Sequence, residues 1–243
     1  GAEAPLASSL LAEHMPADPA DRLSAFPGDY NTPPAYWDKG QAVTSPWGSI
    51  PGRMRKLAQT DSAFQQVLRL LQERGQSFNG FRVVSVHLHT NPRQFDQYCA
   101  AKASMRHAHG CTASSAPFER WLWHGTKKEN VAGILCNGFL RDGNERASFG
   151  KGVYFAQQAD YSLDHRYAAP DGPNGDQYLF LARVLVGDYC QGRASMDKPG
   201  TKPGSLQLYD SMVDSVSRPQ IFVLGAGTDT RHYPEFVLQL RSA

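Results

Sequence analysis

One stretch limits the fold more than any other: Tyr178-Leu179-Phe180-Leu181-Ala182-Arg183-Val184-Leu185-Val186 is apolar at nearly every position. A half-exposed strand alternates apolar and polar side chains, so an unbroken run of this length predicts a strand in the middle of a sheet, covered on both faces. Such a strand needs neighbours. Residues 81–88 are β-branched and alternating, shorter apolar runs at 120–125 and 152–156 each meet a glycine, and the last forty residues offer three more strands at 206–213, 221–224 and 235–240. Helices are predicted before and between them. Asp61 is placed to cap a helix in which Phe64, Val67, Leu68 and Leu71 recur with helical spacing up to Gly75, and Pro92 opens a second with Phe95, Tyr98, Cys99 and Met105 facing the strand. A short helix over 130–136 stops at Gly138, and a fourth is predicted over 159–167. These helices do not alternate strictly with strands, which predicts an α+β domain on antiparallel or mixed sheets. There is no G-x-G-x-x-G after a strand and no phosphate-binding loop of the G-x-x-x-x-G-K-[ST] type, so a doubly wound dinucleotide fold is disfavoured.

The domain is predicted to cover 51–243. Residues 1–50 carry much Pro, Ala, Asp and Ser and no periodic apolar face, and they read as a tail or linker, with Tyr30, Tyr36, Trp37 and Trp47 as candidate anchors onto the domain. A net charge of +2 is too small to argue by itself for a nucleic-acid partner. Cys99, Cys111, Cys136 and Cys190 form no C-x-x-C pair, which fits reduced thiols in a cytoplasmic or nuclear protein. No run of about 18 apolar residues suggests a membrane span. His107, His109 and Cys111 make an H-x-H-x-C cluster without an evident fourth ligand, and no metal is expected. His87 and His89 share one face of a predicted strand and read as residues with satisfied hydrogen bonds.

The chemistry concentrates in two segments, Trp123-His124-Gly125-Thr126 and Gly150-Lys151-Gly152-Val153-Tyr154-Phe155-Ala156. Each joins an apolar run to glycine, beside which stands a hydrogen-bonding or aromatic side chain. A glycine lets main-chain amide and carbonyl groups approach a flat ligand without a Cβ in the way, so the two segments are candidate walls of one nucleotide pocket.

Taken in order, His124-Gly125-Thr126, the 150–156 segment, Tyr161-Ser162 and Tyr167 resemble the catalytic domain of the poly(ADP-ribose) polymerase family, the diphtheria-toxin-like ADP-ribosyltransferases. The resemblance extends over about 81–240. Tyr209-Asp210-Ser211 followed by 218–223 is most similar to the mono-ADP-ribosylating branch. It implies a mixed or antiparallel two-sheet ADP-ribosyltransferase fold and NAD as a consumed co-substrate. It also implies that His124 holds a ribose hydroxyl of NAD. Gly125 and Ser162 would bind the nicotinamide carboxamide, Thr126 would lie beside them, and Tyr154 and Tyr167 would sandwich the ring. A glycine main chain and a serine hydroxyl match a carboxamide, and aromatic faces suit a pyridinium cation.

Two departures matter. Ile221 stands where polymerases of the family carry a glutamate, and isoleucine accepts neither a hydrogen bond nor a proton, so chain elongation is expected to be absent. Asp210, Asp214 and Glu235 are not expected to replace that acid. The polar stretch 140–149, the loop over the NAD pocket in the resemblance, looks about two residues short; its Arg141 or Arg146 is a candidate for the pyrophosphate, as is Lys151. About thirty residues between tail and first strand leave no room for a helical regulatory bundle, so activity is expected not to depend on DNA breaks. The expected acceptor is a protein, this chain included. Transfer to nucleic-acid ends is motivated by a pI of about 8.4, and an inactive module that holds NAD or ADP-ribose is motivated by Ile221.

Overall fold

The computed structural model describes residues 33–37, 42–73, 80–109, 118–140, 147–228 and 230–242. Tyr30, Gly75, Cys111 and Arg141–Arg146 lie outside them. The elements are β1 (Arg53–Lys56), α1 (Ser62–Glu73), β2 (Phe81–Thr90), α2 (Pro92–Ala108), β3 (Glu119–Thr126), α3 (Lys128–Asn137), β4 (Val153–Ala156), α4 (Ala159–Ser162), β5 (Asp176–Leu185), β6 (Tyr189–Gln191), β7 (Ser211–Val213), β8 (Ile221–Leu224) and β9 (His232–Ser242).

The apolar run forms β5, buried at all ten positions between β3 and β9. The sheet order is β1-β2-β9-β5-β3-β4-β8-β7-β6, antiparallel except for the parallel β6–β7 pair. The fold is α+β on a mixed sheet. The two expected sheets appear as two halves hydrogen-bonded into one, since β3 pairs with β4 at Trp123↔Ala156 alone. Beyond that pair the strands splay, and the opening becomes the cleft described below.

Three apolar clusters hold the fold. One packs α1 and α2 with Trp121, Trp123, Leu179 and Leu181, and a second packs α3 with Leu122, Phe139, Phe155 and Phe180 on the opposite face of β3 and β5. The third is small: Ala156, Met212, Ile221 and Val223, with Tyr154 against it. Helix α1 buries Phe64, Val67, Leu70 and Leu71, as its spacing requires. The Asp61 carboxylate does not cap it; that group accepts the Ala58 amide at 2.8 Å and pairs with Arg55. Asn91 caps α2 by accepting from Gln94 at 3.3 Å.

Arg183, the one charge in the apolar run, is completely buried and donates to Glu235, which also accepts from Tyr36 and, at 3.0 Å, from Trp37 Nε1. Tyr36 and Trp37 therefore sit in the main core, 8% exposed each. Beside them Lys102 pairs with Glu119 at 2.5 Å and Tyr98 donates to the same carboxylate. Buried charges are tolerated when paired and hydrogen-bonded in this way.

Three further expectations need correction. The strand predicted over 206–213 shortens to β7, because 200–209 turns back on itself through Lys202–Gln207 and Tyr209–Gly200 hydrogen bonds. The helix predicted over 159–167 ends at Ser162. Its continuation is diverted by Asp164, whose carboxylate takes the Arg166 amide while its carbonyl accepts from Tyr167 and Ala168. His89 does place both ring nitrogens against carbonyl oxygens, of Pro234 and Pro51, but His87 Nδ1 has no hydrogen bond among the described residues and its ring packs edge-on to Trp47.

Candidate active site

Where β3 and β4 diverge, a cleft of about 230 Å³ opens, lined by His124, Gly125, Thr126, Tyr154 and Tyr167, with Lys127, Asn130, Tyr161 and Arg166 at its borders. A narrower slot of about 40 Å³ runs inward between Gly125, Tyr154, Ala156, Tyr161, Ser162 and Tyr167. A third space of about 200 Å³ follows α3 from His124 to Phe139 and Leu140. His124, Gly125, Thr126, Tyr154, Ser162 and Tyr167 are thus brought together, although the first and last stand 43 positions apart in the sequence (167 − 124).

Alternation along β3 explains the arrangement. Trp121 and Trp123 point into the cluster that α4 covers, and Gly125 follows on that face. A Cβ built on Gly125 would overlap the carbonyl oxygen of Ser162, so this glycine is required for α4 to seat against β3. The backbone that this glycine admits is that of α4 and not only that of a ligand. Gly152 likewise leaves no room for a side chain against the Leu224 carbonyl.

His124 lies on the other face. Its Nδ1 is 2.8 Å from the Tyr154 carbonyl, which can only accept, so Nδ1 carries a proton and the ring is held at a fixed angle. Phe139 packs edge-on to the ring at 4.8 Å and Phe155 lies at 5.6 Å. The same two phenyl rings enclose His232, which is 4% exposed and whose ring nitrogens find no hydrogen-bond partner among the described residues. Burial, with the nearby His124, lowers the His232 pKa to about 3.

Tyr154 is pinned by its hydroxyl, which donates to the Gly150 carbonyl at 2.7 Å and accepts the Phe149 amide at 3.0 Å; burial raises its pKa. Tyr167 stacks on Tyr161 with ring centres 5.3 Å apart and the hydroxyls 3.0 Å apart. Arg166 stands over the Tyr167 ring and forks onto Asp164, which holds that carboxyl down at about 2. Tyr161 stands in one of the motifs read from the sequence, but Arg166 and Lys127 at this opening carry no sequence cue, since each is a common surface residue type and its neighbours are set by chain reversal.

Ile221 does not line the cleft. It pairs with Ala156 in the β4–β8 ladder and sits, 4% exposed, in the apolar cluster against which Tyr154 packs. Asp214 is beside it with its carboxylate turned onto the Gln220 and Ile221 amides, at 2.9 and 3.0 Å. Asp210 accepts from the Asp188 amide and from Arg231, and Glu235 is buried in the Arg183 pair. Lys151 pairs with Asp197 at 2.7 Å. Among the described residues, His109 meets Asp188 and Asp210 within ion-pair distance, but Lys202 and Arg231 already neutralise those carboxylates. No helix among the described residues is long and apolar enough to cross a membrane.

Comparison with known proteins agrees with this architecture. The sequence model of the poly(ADP-ribose) polymerase catalytic domain matches residues 61–211. Human protein mono-ADP-ribosyltransferase PARP14 is 35% identical over 68% of this chain, human PARP12 34% over 88%, and mouse PARP10 31% over 88%. The chain spans 9%, 28% and 22% of the lengths of those relatives. The crystal structure of the PARP domain of Arabidopsis RADICAL-INDUCED CELL DEATH1 superposes with a TM-score of 0.59 over 74% of this chain and 98% of that one, at 18% identity, and so shares the fold. With the family match covering more than half of its residues, the chain belongs to the poly(ADP-ribose) polymerase catalytic-domain family.

Proposed function

We propose that this domain cleaves NAD, consumed as a co-substrate, and transfers a single ADP-ribose to a protein acceptor with release of nicotinamide. The observation that carries the reading is the meeting of Gly125, Ser162, Tyr154 and Tyr167 around one slot, with His124 at its border. The glycine main chain and the Ser162 hydroxyl offer a carboxamide both a donor and an acceptor, and two tyrosine rings offer faces to a flat cation. His124 holds a ribose hydroxyl, and Thr126 lies beside it in the cleft.

The rings position the nicotinamide; stacking favours the charged ground state and does not by itself lower the barrier. The bond from nicotinamide nitrogen to ribose carbon breaks through an oxocarbenium-like state, nicotinamide leaves with the bonding pair, and the acceptor attacks from the opposite face. Ile221 offers no base, so an acceptor that already carries its charge, such as a carboxylate, suits the site. Ile221 also supports transfer of one unit and not a chain.

The test is incubation with NAD, following free nicotinamide and acid-stable labelling of protein. Release no greater than from a Tyr154→Ala control refutes the reading. Calorimetric NAD binding without nicotinamide release would instead mark a module that binds without turnover. Labelling of this chain itself or of a phosphorylated RNA end reads out the other acceptors. Among the described residues Cys136 and Cys190 form no disulfide, which supports a cytoplasmic or nuclear setting.

A further inference from the structure

The corner of the sheet around Ile221 carries an unbalanced charge. Strand β8 begins at Ile221 beside Ala156, and Gln157 donates its amide to the Gln220 carbonyl at 2.8 Å, so the β7–β8 turn over 214–220 lies against the strand that bears Tyr154. The segment after β6 joins the same corner: Gly192 donates to the Val213 carbonyl at 2.8 Å and the Gln191 side chain to the Asp214 carbonyl at 2.7 Å. These contacts set the chain just before Arg193 against the start of the 214–220 turn that carries Arg218; both arginines are exposed, as is Val216 at 49% in that turn.

The acids nearby are already engaged. Asp214 faces inward onto two amides, and Asp197 pairs with Lys151. Among the described residues neither Arg193 nor Arg218 takes part in an ion pair. The result is a pair of cations without ion pairs among the described residues, with the half-exposed Val216, at the end of the sheet where β8 begins with Ile221.

We infer that Arg193 and Arg218 form a docking rim for an acidic acceptor segment, a run of Asp or Glu on the partner protein. The inference rests on the transfer reading above and names the substrate class of that site. A base-free site works on an acceptor that arrives ionised, and a cluster of carboxylates repels itself unless cations receive it; two guanidinium groups offer forked donors for that purpose. Exposed charges of this kind act on encounter and selection more than on the chemical step.

The test uses the whole chain and a fluorescent, short glutamate-rich peptide, against the same peptide with glutamine at all but one position, read by anisotropy at low salt without NAD. The acidic peptide is expected to bind about tenfold more tightly than the glutamine one, and to lose that advantage in both R193Q/R218Q and R193E/R218E. The charge-reversed protein is expected to favour a lysine-rich peptide instead. Benzamide binding, measured in parallel, is expected to stay unchanged and reports an intact slot. Equal binding of acidic and glutamine peptides by the wild type, or a preference that survives both double variants, overturns the inference. Loss of benzamide binding in both variants, marking a disturbed slot, also overturns it. A preference that holds while NAD yields no nicotinamide supports the rim and refutes the transfer reading, so the two failures are distinct.

Discussion

Replacing His232 by leucine isolates a single buried titration behind the active site. In the folded chain this imidazole is enclosed by Phe139 and Phe155, and its pKa falls from 6.5 to about 3 because burial disfavours the charged form. The unfolded chain therefore binds a proton at His232 below about pH 6.5 that the folded chain refuses until about pH 3. Stability is unaffected above that window and falls as pH decreases through it. At pH 5 the interval from the unfolded pKa is about 1.5 units, or about 2 kcal/mol at 1.36 kcal/mol per unit. For a chain of this size that is a drop of about 4–8 °C in melting temperature. His87, lowered to about 4 by burial and Lys56, and the carboxylates add their own acid sensitivity, equally in wild type and variant. The measurement is thus a double difference: thermal unfolding at pH 7.5 and pH 5 for wild type and His232→Leu. The wild type is expected to lose about 4–8 °C more than the variant, and equal losses refute the buried neutral histidine.

Gly125→Ala drives a methyl group into the Ser162 carbonyl. The displaced α4 is expected to cost about 1–3 kcal/mol and to weaken benzamide binding at least about tenfold by calorimetry, because Ser162 and Tyr161 move with it. Glu235→Gln leaves Arg183 buried without its carboxylate and is expected to destabilise by about 3–5 kcal/mol in urea unfolding. Ile221→Glu puts a carboxyl among Ala156, Met212 and Val223, where burial favours its neutral form. That variant is expected to be less stable and still to give single-unit labelling on a gel; long ladders show that the acid alone is what elongation lacks.

The parts legible in the sequence are those with local signals. The apolar run fixed itself as β5, helices α1 and α2 followed their spacing, and the order of His124-Gly125, Tyr154, Ser162 and Tyr167 pointed to residues that do converge. What was not legible depends on distant partners. Tyr36 and Trp37 look like tail residues until Glu235, about 200 positions away, receives both. Strands β1 and β6 are four and three residues long, too short for a periodic signal, and exist because β2 and β7 offer them an edge. Tyr161-Ser162 sits in a stretch with apparent helical character, and the Asp164 turn that ends α4 there competes with it through side-chain bonds. The slot itself is a consequence of strand splay after Trp123↔Ala156, which no single segment encodes.

The most direct test of the central claim is intact-mass spectrometry of the purified chain with an acidic protein acceptor and NAD, with nicotinamide quantified in the same reaction. The account predicts acceptor mass increments of single ADP-ribose units on separate residues, nicotinamide released one for one, and loss of both in Tyr154→Ala. Chains of ADP-ribose on one residue, or NAD bound with neither label nor nicotinamide appearing, contradict it.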